Sequence, residues 1–453
     1  LHCSRSYCSR ETKPSRRETA PDRQVSRKEP SISSYQRIRD PYASLRYPAY
    51  RNFITAIFLF TIAFLIQEVA LGYELYTITH DPLALGLTGL ATFVPFIGLS
   101  LFGGHLADRM SRRLIILVAI SVITLGSLFL HFFARSVEAG NVSPDILVPV
   151  IYATVFMIGV CRAFQSPASS SLRAFLVPIA AYENAATWST SAFQAGAILG
   201  PAIAGFLFSW LGFSDTLLVV IFLFVCALFF YSRTGDSRAS GTPAGGSLLA
   251  SVREGVGFVW KTKVILYALS LDLFSVLFGG VFALLPIYAQ DILNVGAQGL
   301  GILRAAPSAG AVIMLLVLQR VSPMRHAWRT LLISVAGFGA SVIVFAISPW
   351  MGLSVAALFV SGACDSISVV IRQTVLQLKT PDEMRGRVMA VNGIFVSSSN
   401  ELGAFESGTT ARLMGVVPSA VFGGVMTLLI VGWVSLKARE LFNARFDARG
   451  QDG

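Results

Sequence analysis

From residue 52 to residue 436 the chain alternates long apolar runs with short polar interruptions. Runs of spanning length fall at 52–77, 84–104, 114–134, 146–169, 188–211 and 214–232. They resume at 264–289, 298–319, 328–348, 351–372, 388–411 and 416–436. Helices are the expected form, because open sheet edges leave backbone groups unsatisfied in lipid. Six runs, a polar gap and six more runs predict an all-α integral membrane protein with about twelve transmembrane helices in two pseudo-symmetric six-helix bundles. The expected organisation is a disordered basic tail over 1–50, a first bundle over 51–233, a linker over 234–262, a second bundle over 263–437 and a C-terminal tail over 438–453. Within the linker, Thr234 to Gly246 is flexible by composition, and Ser247 to Trp260 reads as an amphipathic surface helix.

Composition agrees with a lipid environment. The chain has 453 residues, 54% hydrophobic and 13% charged, with a mean hydropathy of +0.65. A net charge of +11 would also suit a nucleic-acid binder, but the basic residues sit in alternate loops. Arg109, Arg112 and Arg113, then Arg233, Arg238 and Arg253, then Arg320, Arg325 and Arg329, then Lys379, Arg385 and Arg387 fill one set. The intervening turns at 79–82, 213–215, 290–291 and 348–350 carry no Lys or Arg. The positive-inside rule therefore puts both termini in the cytoplasm and makes the bilayer, not nucleic acid, the partner. Cys3, Cys8, Cys161, Cys226 and Cys364 show neither metal nor disulfide spacing, so no metal and no cofactor are expected. The first fifty residues lack the apolar core of a cleaved signal.

The halves echo one another. Gly159-Val160-Cys161-Arg162 precedes Val177-Pro178 by the spacing at which Gly362-Ala363-Cys364-Asp365 precedes Thr380-Pro381. Gly89 to Pro95 in the second run likewise matches Gly301 to Pro307 in the eighth. Such internal symmetry suits a site at the interface of two repeats.

Three groups of residues carry candidate chemistry. In Gly104-His105-Leu106-Ala107-Asp108-Arg109-Met110-Ser111-Arg112-Arg113, Gly104 is expected to let a helix end tightly. Asp108 can cap or pair near a helix terminus, and Arg109, Arg112 and Arg113 hold the turn at the cytoplasmic side. In the fifth run, Gly196, Gly200 and Gly205 surround Pro201, giving a flat face for helix packing and a bend. Ionisable residues within spans cost roughly 2.5–3.5 kcal/mol each at the bilayer centre, which makes Glu68, Glu74, Arg162, Asp272, Arg304, Asp365, Glu401 and Glu406 functional candidates. Glu68 lies near mid-span and is the favoured proton carrier, with Asp272 second. Glu401 and Glu406 are not expected to form one site, and aromatic side chains in the spans are expected to face lipid.

The hairpin G-x-L-A-D-R-x-x-R-R resembles the loop between the second and third helices of major facilitator superfamily transporters, with Ser111 where that pattern has a second glycine. The resemblance implies that Asp108 and Arg112 latch the two halves in one conformational state. Gly196-x-x-x-Gly200-Pro201-x-x-x-Gly205 resembles the fifth-helix motif of drug exporters in the superfamily, which implies outward antiport. Arg162-Ala163-Phe164-Gln165 resembles the fourth-helix R-x-x-Q pattern, whose arginine the family links to proton coupling. The pseudo-twofold axis then makes Asp365 the expected partner of Arg162. Leu271-Asp272-Leu273-Phe274, Leu284 to Tyr288, Thr380 to Arg387 and Ser399 to Gly403 are similar to the bacterial subgroup that contains siderophore exporters.

The resemblance implies a monomeric, proton-coupled exporter of an amphiphilic small molecule, a drug or a siderophore, in a bacterial inner membrane. No phosphate-binding loop of the form G-x-x-x-x-G-K-[ST] is present, so an ion gradient is the expected energy source. The histidines form no spacing for a nucleophile and base, so enzyme chemistry is not expected. A transport-inactive sensor and a facilitator or importer of a small metabolite are the alternatives.

Overall fold

The computed structural model describes residues 40–235, 248–321 and 323–440, excluding the side chains of residues 101, 108, 248–252, 325 and 382. Residues 1–39 of the tail expected over 1–50, most of the flexible linker and the end of the C-terminal tail lie outside the described residues, as does the Asp108 side chain.

Among the described residues the protein is all-helical. Helices α1 (Pro48–Thr79), α2 (Pro82–Arg109), α3 (Arg112–Glu138), α4 (Leu147–Phe175) and α5 (Tyr182–Ser232) form the first half. The linker helix α6 (Leu248–Lys261) leads to α7 (Lys263–Phe278), α8 (Gly296–Leu318), α9 (Ala327–Ile347), α10 (Met351–Lys379), α11 (Asp382–Met414) and α12 (Val416–Lys437). Ten helical stretches are long and apolar enough to cross a membrane, with 179–232 counted as one. Helix α11 spans 33 residues but is not among them, because Asn392, Ser397 to Asn400, Glu401 and Glu406 make it polar. Short connections between long helices reverse the chain repeatedly, giving a proximal face, where the first described helix starts and the last one ends, and a distal face opposite.

Local chemistry explains the boundaries. His80 takes a left-handed conformation that ends α1, and the Asp81 side chain accepts a hydrogen bond from the Leu83 N–H at 2.9 Å ahead of Pro82. Gly104 does not end α2: the helix runs on to Arg109, and a methyl group at Gly104 would meet open space. The neighbouring Gly103 is the constrained position, since a Cβ there would lie 2.1 Å from the Ala163 carbonyl of α4. Ser111 needs no glycine, because its backbone avoids the left-handed region and its hydroxyl accepts from the Leu114 N–H at 3.4 Å to cap α3.

The turn expected at 213–215 is reduced to Gly212, the single non-helical residue within α5 (φ 79, ψ −177), a conformation essentially confined to glycine. The second half repeats the device at Gly415 (φ 96, ψ 158) between α11 and α12. The run expected at 264–289 is also broken. Helix α7 stops at Gly279, and a 3-10 segment (Val281–Leu284) and a π segment (Tyr288–Ile292) follow. The break exists because the backbone there meets α11, so that a Cβ on Gly280 would lie 2.6 Å from the Gly403 carbonyl. Helix α6 is docked rather than free on the surface: Glu254 pairs with Arg387, and a Cβ on Gly255 would lie 2.9 Å from the Arg387 carbonyl.

The repeat seen in the sequence returns as packing. Gly159 of α4 abuts Thr92 and Pro95 of α2, and Gly362 of α10 abuts Pro307 of α8. Several contacts join the halves backbone to backbone, two of them between facing glycines. Gly86 meets Gly408 where α2 crosses α11, and Gly205 meets Gly301 where α5 crosses α8. Both lie toward the distal face. With no Cβ in the way, the helices approach closely and gain dispersion contacts, which drive association where water cannot. Polar bonds between the halves cluster at the same level. Arg412 pairs with Asp81 at 3.3 Å, Tyr76 donates to Asp291, and Gln290 donates to Thr77 at 3.1 Å. Large apolar side chains such as Phe102, Phe129, Phe222 and Leu429 point outward, as lipid contact requires.

Candidate functional site

The interior holds three connected spaces. A cavity of about 590 Å³ runs from Phe53 and Tyr231, near the proximal face, inward to Glu68, Arg162 and Glu401. A second of about 230 Å³ shares those three charged residues and reaches Gly72, Leu85 and Thr88 on the distal side. A third of about 280 Å³ shares Phe282 and Asn400 with the second and contains Asp365. The largest cavity is two-sided in chemistry. Ser166, Ser169, Ser170, Ser189 and Thr190 supply hydroxyls, while Phe53, Phe60, Phe64 and Phe193 supply ring surface. Such a lining suits a ligand with an apolar body and hydrogen-bonding edges.

Two ion pairs stand where these spaces meet, and each joins the two halves. Arg162 of α4 bonds Glu401 of α11 at 3.4 Å, and Arg304 of α8 donates to Glu68 of α1 at 2.6 Å. The Arg162 guanidinium also lies 5.3 Å from the Phe64 ring centroid and 5.9 Å from that of Phe96. Lipid-level charges are costly when alone, so pairing makes them tolerable. The side chains remain partly accessible, Arg162 at 37% and Glu68 at 45%, so a ligand or a proton can reach them.

Glycines set this geometry. Gly89 lets the α11 backbone come within reach at Glu401, since a Cβ on Gly89 would lie 2.5 Å from the Glu401 carbonyl. Gly159, Gly301 and Gly362 each sit one turn ahead of a charged residue, Arg162, Arg304 and Asp365 respectively. Close approach at the glycine carries the charge, on the same helix face, to the interior.

The structure rearranges the expected partners. Arg162 is bonded to Glu401, not to Asp365, which lines the third cavity without a hydrogen bond or ion pair among the described residues. Glu401, a candidate not expected to share a site with Glu406, therefore stands at the centre, and Glu406 lies away from it beside Ser407. Asp272 does not line these three spaces. It forms an ion pair with Arg372 that stays inside the second half, both side chains being nearly fully buried. No spacing along α10 distinguishes Arg372 from a terminal basic residue, so its pairing with Asp272 is visible only in the fold. Glu68 and Arg304 both reach the central spaces, a pairing that no spacing along the chain predicts. The aromatic residues divide between lipid and cavity instead of facing lipid as a class.

Gly196 and Gly200 pack against Thr61 and Leu65 of α1, while Pro201 and Gly205 of that motif meet Gly301 of the other half. In the hairpin, Arg112 is buried with its guanidinium 4.2 Å over the Phe175 ring of α4, while Arg109 is exposed. Among the described residues no three His, Cys, Asp or Glu side chains gather as metal ligands would.

Comparison with known proteins agrees with this architecture. The chain is 27% identical over 387 residues to the multidrug efflux pump Tap of Mycolicibacterium fortuitum, covering 80% of this chain and 90% of that protein. It is 25% identical over 398 residues to the enterobactin exporter EntS of Escherichia coli, covering 85% and 90%. Among solved structures, a POT family transporter in complex with a thioalcohol-conjugated peptide superimposes with a TM-score of 0.66 at 12% identity, covering 86% of this chain and 96% of that one. A bacterial homologue of the human lysosomal transporter Spinster gives a TM-score of 0.65 at 14% identity, covering 88% and 99%, and shares the fold. The profile of the Major Facilitator Superfamily matches residues 52–404, most of the chain, and the protein belongs to that family of membrane transporters.

Proposed function

We propose that this transporter is a proton-coupled exporter that moves an amphiphilic small molecule, drug-like or siderophore-like, out of a bacterial cell by alternating access. In this reading about twelve spans form two six-helix bundles in the inner membrane, the proximal face with both termini is cytoplasmic, and one copy of the chain suffices. The direction of transport rests on the efflux pump and the siderophore exporter among its relatives. The observation that carries the coupling is the position of the Arg162–Glu401 and Arg304–Glu68 pairs, which bridge the halves across the central spaces.

The chemistry follows from charge balance. With Glu68 and Glu401 ionised, each arginine is held across the interface and the larger space faces the cytoplasm for loading. A proton that reaches either carboxyl from outside removes the charge attraction for its arginine and releases substrate outward, and loss of that proton to the cytoplasm restores the pair and resets the space for loading. A ligand or proton shifts such an equilibrium only by its difference in affinity for the two states, and these pairs supply that difference. The glycine crossings at Gly86–Gly408 and Gly205–Gly301 would then be the external closure that must part. Asp108 and Arg112 belong to this proposal as the cytoplasmic latch that the family resemblance implies.

The test is proton movement in everted membrane vesicles challenged with cationic dyes, neutral lipophilic drugs and siderophores. A substrate-dependent proton leak, absent from empty-vector vesicles and from vesicles carrying Glu401→Gln, is the expected result. Substrate flux without proton movement would make the protein a facilitator. No flux across the panel, with the protein inserted and folded, would favour a sensor.

A further inference from the structure

In the central spaces each of the two carboxylates has its own arginine, and Arg173 adds a further positive charge to the largest of them. The third cavity holds a carboxylate and no cation. Asp365 lies midway along α10, within the membrane-spanning part of the helix, and is the one charged side chain lining the 280 Å³ space. An unpaired carboxylate at this depth is costly unless it takes up a proton or pairs with a cation. The remaining polar lining consists of Gln194, Ser308 and Asn400, none of which can neutralise it. Phe282 and Phe338 line the same space, and the faces of aromatic rings attract cations, quaternary ammonium groups in particular.

Both halves contribute to the cavity. Gln194 comes from α5, whereas Asp365, Ser308 and Asn400 come from α10, α8 and α11. Asn400 also borders the cavity that holds the Arg162–Glu401 pair, so the carboxylate stands one residue layer from the coupling pairs and apart from them. A ligand with a cationic head and an apolar body can place the head at Asp365 and extend into the ring-lined space next to it.

We propose that this cavity is a recognition subsite for an organic ammonium group, with Asp365 as its counter-ion. The inference deepens the export reading by naming a substrate class, and it rests on that reading for its purpose alone, since binding is measured without transport. The full chain is purified into lipid nanodiscs and equilibrated with radiolabelled benzyltrimethylammonium, with its uncharged isostere neopentylbenzene as competitor. The wild type binds the ammonium, and the isostere competes at least about tenfold less well than unlabelled ammonium, a difference of about 1.4 kcal/mol. Asp365→Asn weakens ammonium binding by a factor of about ten or more, while Asp365→Glu retains most of it. Ala311→Phe fills the same cavity and blocks binding with the carboxylate intact, which keeps the test informative if Asp365→Asn fails to fold.

Wild-type affinity in Asp365→Asn overturns the proposal, as does equal competition by the isostere or no ammonium binding at all. Loss of ammonium-driven proton movement in Asp365→Asn with unchanged affinity also overturns it, by making Asp365 a proton site. Ammonium binding that depends on Asp365 in a protein without efflux leaves the subsite standing and removes the export reading instead.

Discussion

The two faces of the molecule use the same residue types to opposite ends. At the distal face, glycines bring backbone against backbone between the halves, and nearby polar groups pair across the seam. At the proximal face the glycine contacts found, Gly103 with Ala163 and Gly255 with Arg387, tie helices within a half or fasten the linker, and the space between α1, α4 and α5 holds a 590 Å³ cavity. The lesson is that small residues close this protein only where they face the other half. Elsewhere they pack helices together within one half or fasten the linker helix. Two further ion pairs make the same point. Asp272–Arg372 is buried inside one half and holds it together, whereas Arg162–Glu401 is accessible and joins both.

The contrast can be broken most strongly at the distal crossing. A Cβ on Gly301 would already lie 2.6 Å from the Pro201 carbonyl and 3.1 Å from the Gly205 Cα, so Gly301→Leu cannot be absorbed without parting α5 from α8. Overpacking costs about 1–3 kcal/mol, which shifts the closed state by about fivefold to over a hundredfold. A cysteine at Ser209, whose hydroxyl accepts from Gln298 across this seam at 3.2 Å, should then react faster with a distal maleimide. Unchanged labelling would mean that the seam is not the closure.

Comparable in size is Glu401→Gln, which leaves Arg162 without its counter-ion in a setting where a lone charge at the bilayer centre costs up to roughly 2.5–3.5 kcal/mol. Efflux should fall by about tenfold or more, and Arg162→Gln combined with Glu401→Gln should recover protein abundance but not efflux. Additive losses of abundance in the double variant would show that the two side chains act independently. Arg412→Gln removes an exposed pair worth about 0.2–1 kcal/mol, so distal labelling should rise no more than about fivefold. A larger effect would promote this pair from trim to gate.

The smallest effect is expected from Gly104→Ala. Nothing lies within 4 Å of the added methyl, and alanine favours a helix interior over glycine by roughly 0.5–1 kcal/mol. Thermal unfolding should be unchanged or slightly raised, whereas Gly103→Ala, aimed at the Ala163 carbonyl, should lower it. Equal effects of the two substitutions would dissolve the distinction between the glycines.

Much of this was legible in the sequence because lipid makes it so. Spans announce themselves by apolar length, and the repeat of Gly159 with Gly362 and of Pro95 with Pro307 returned as matching helix contacts. The seams between spans leave a weaker trace in the sequence. Gly212 and Gly415 are one-residue turns that leave almost no polar gap, and the break after α7 is set by the approach of α11 rather than by local composition. Helix α11 shows the reverse difficulty, being polar along its length because it faces protein and cavity more than lipid.

The sequence by itself determined the helical class, the location of the spans and the short set of charges that the interior must accommodate. Burial of apolar length and the cost of lone charges in lipid are local properties that a single chain displays. Which charges meet was decided by the tertiary structure alone. The choice of Glu401 over Asp365 for Arg162, of Arg304 for Glu68 and of Arg372 for Asp272 depends on how far each helix slides and turns before backbone meets backbone. That limit is set by glycines on facing helices, which no periodicity along one helix can reveal.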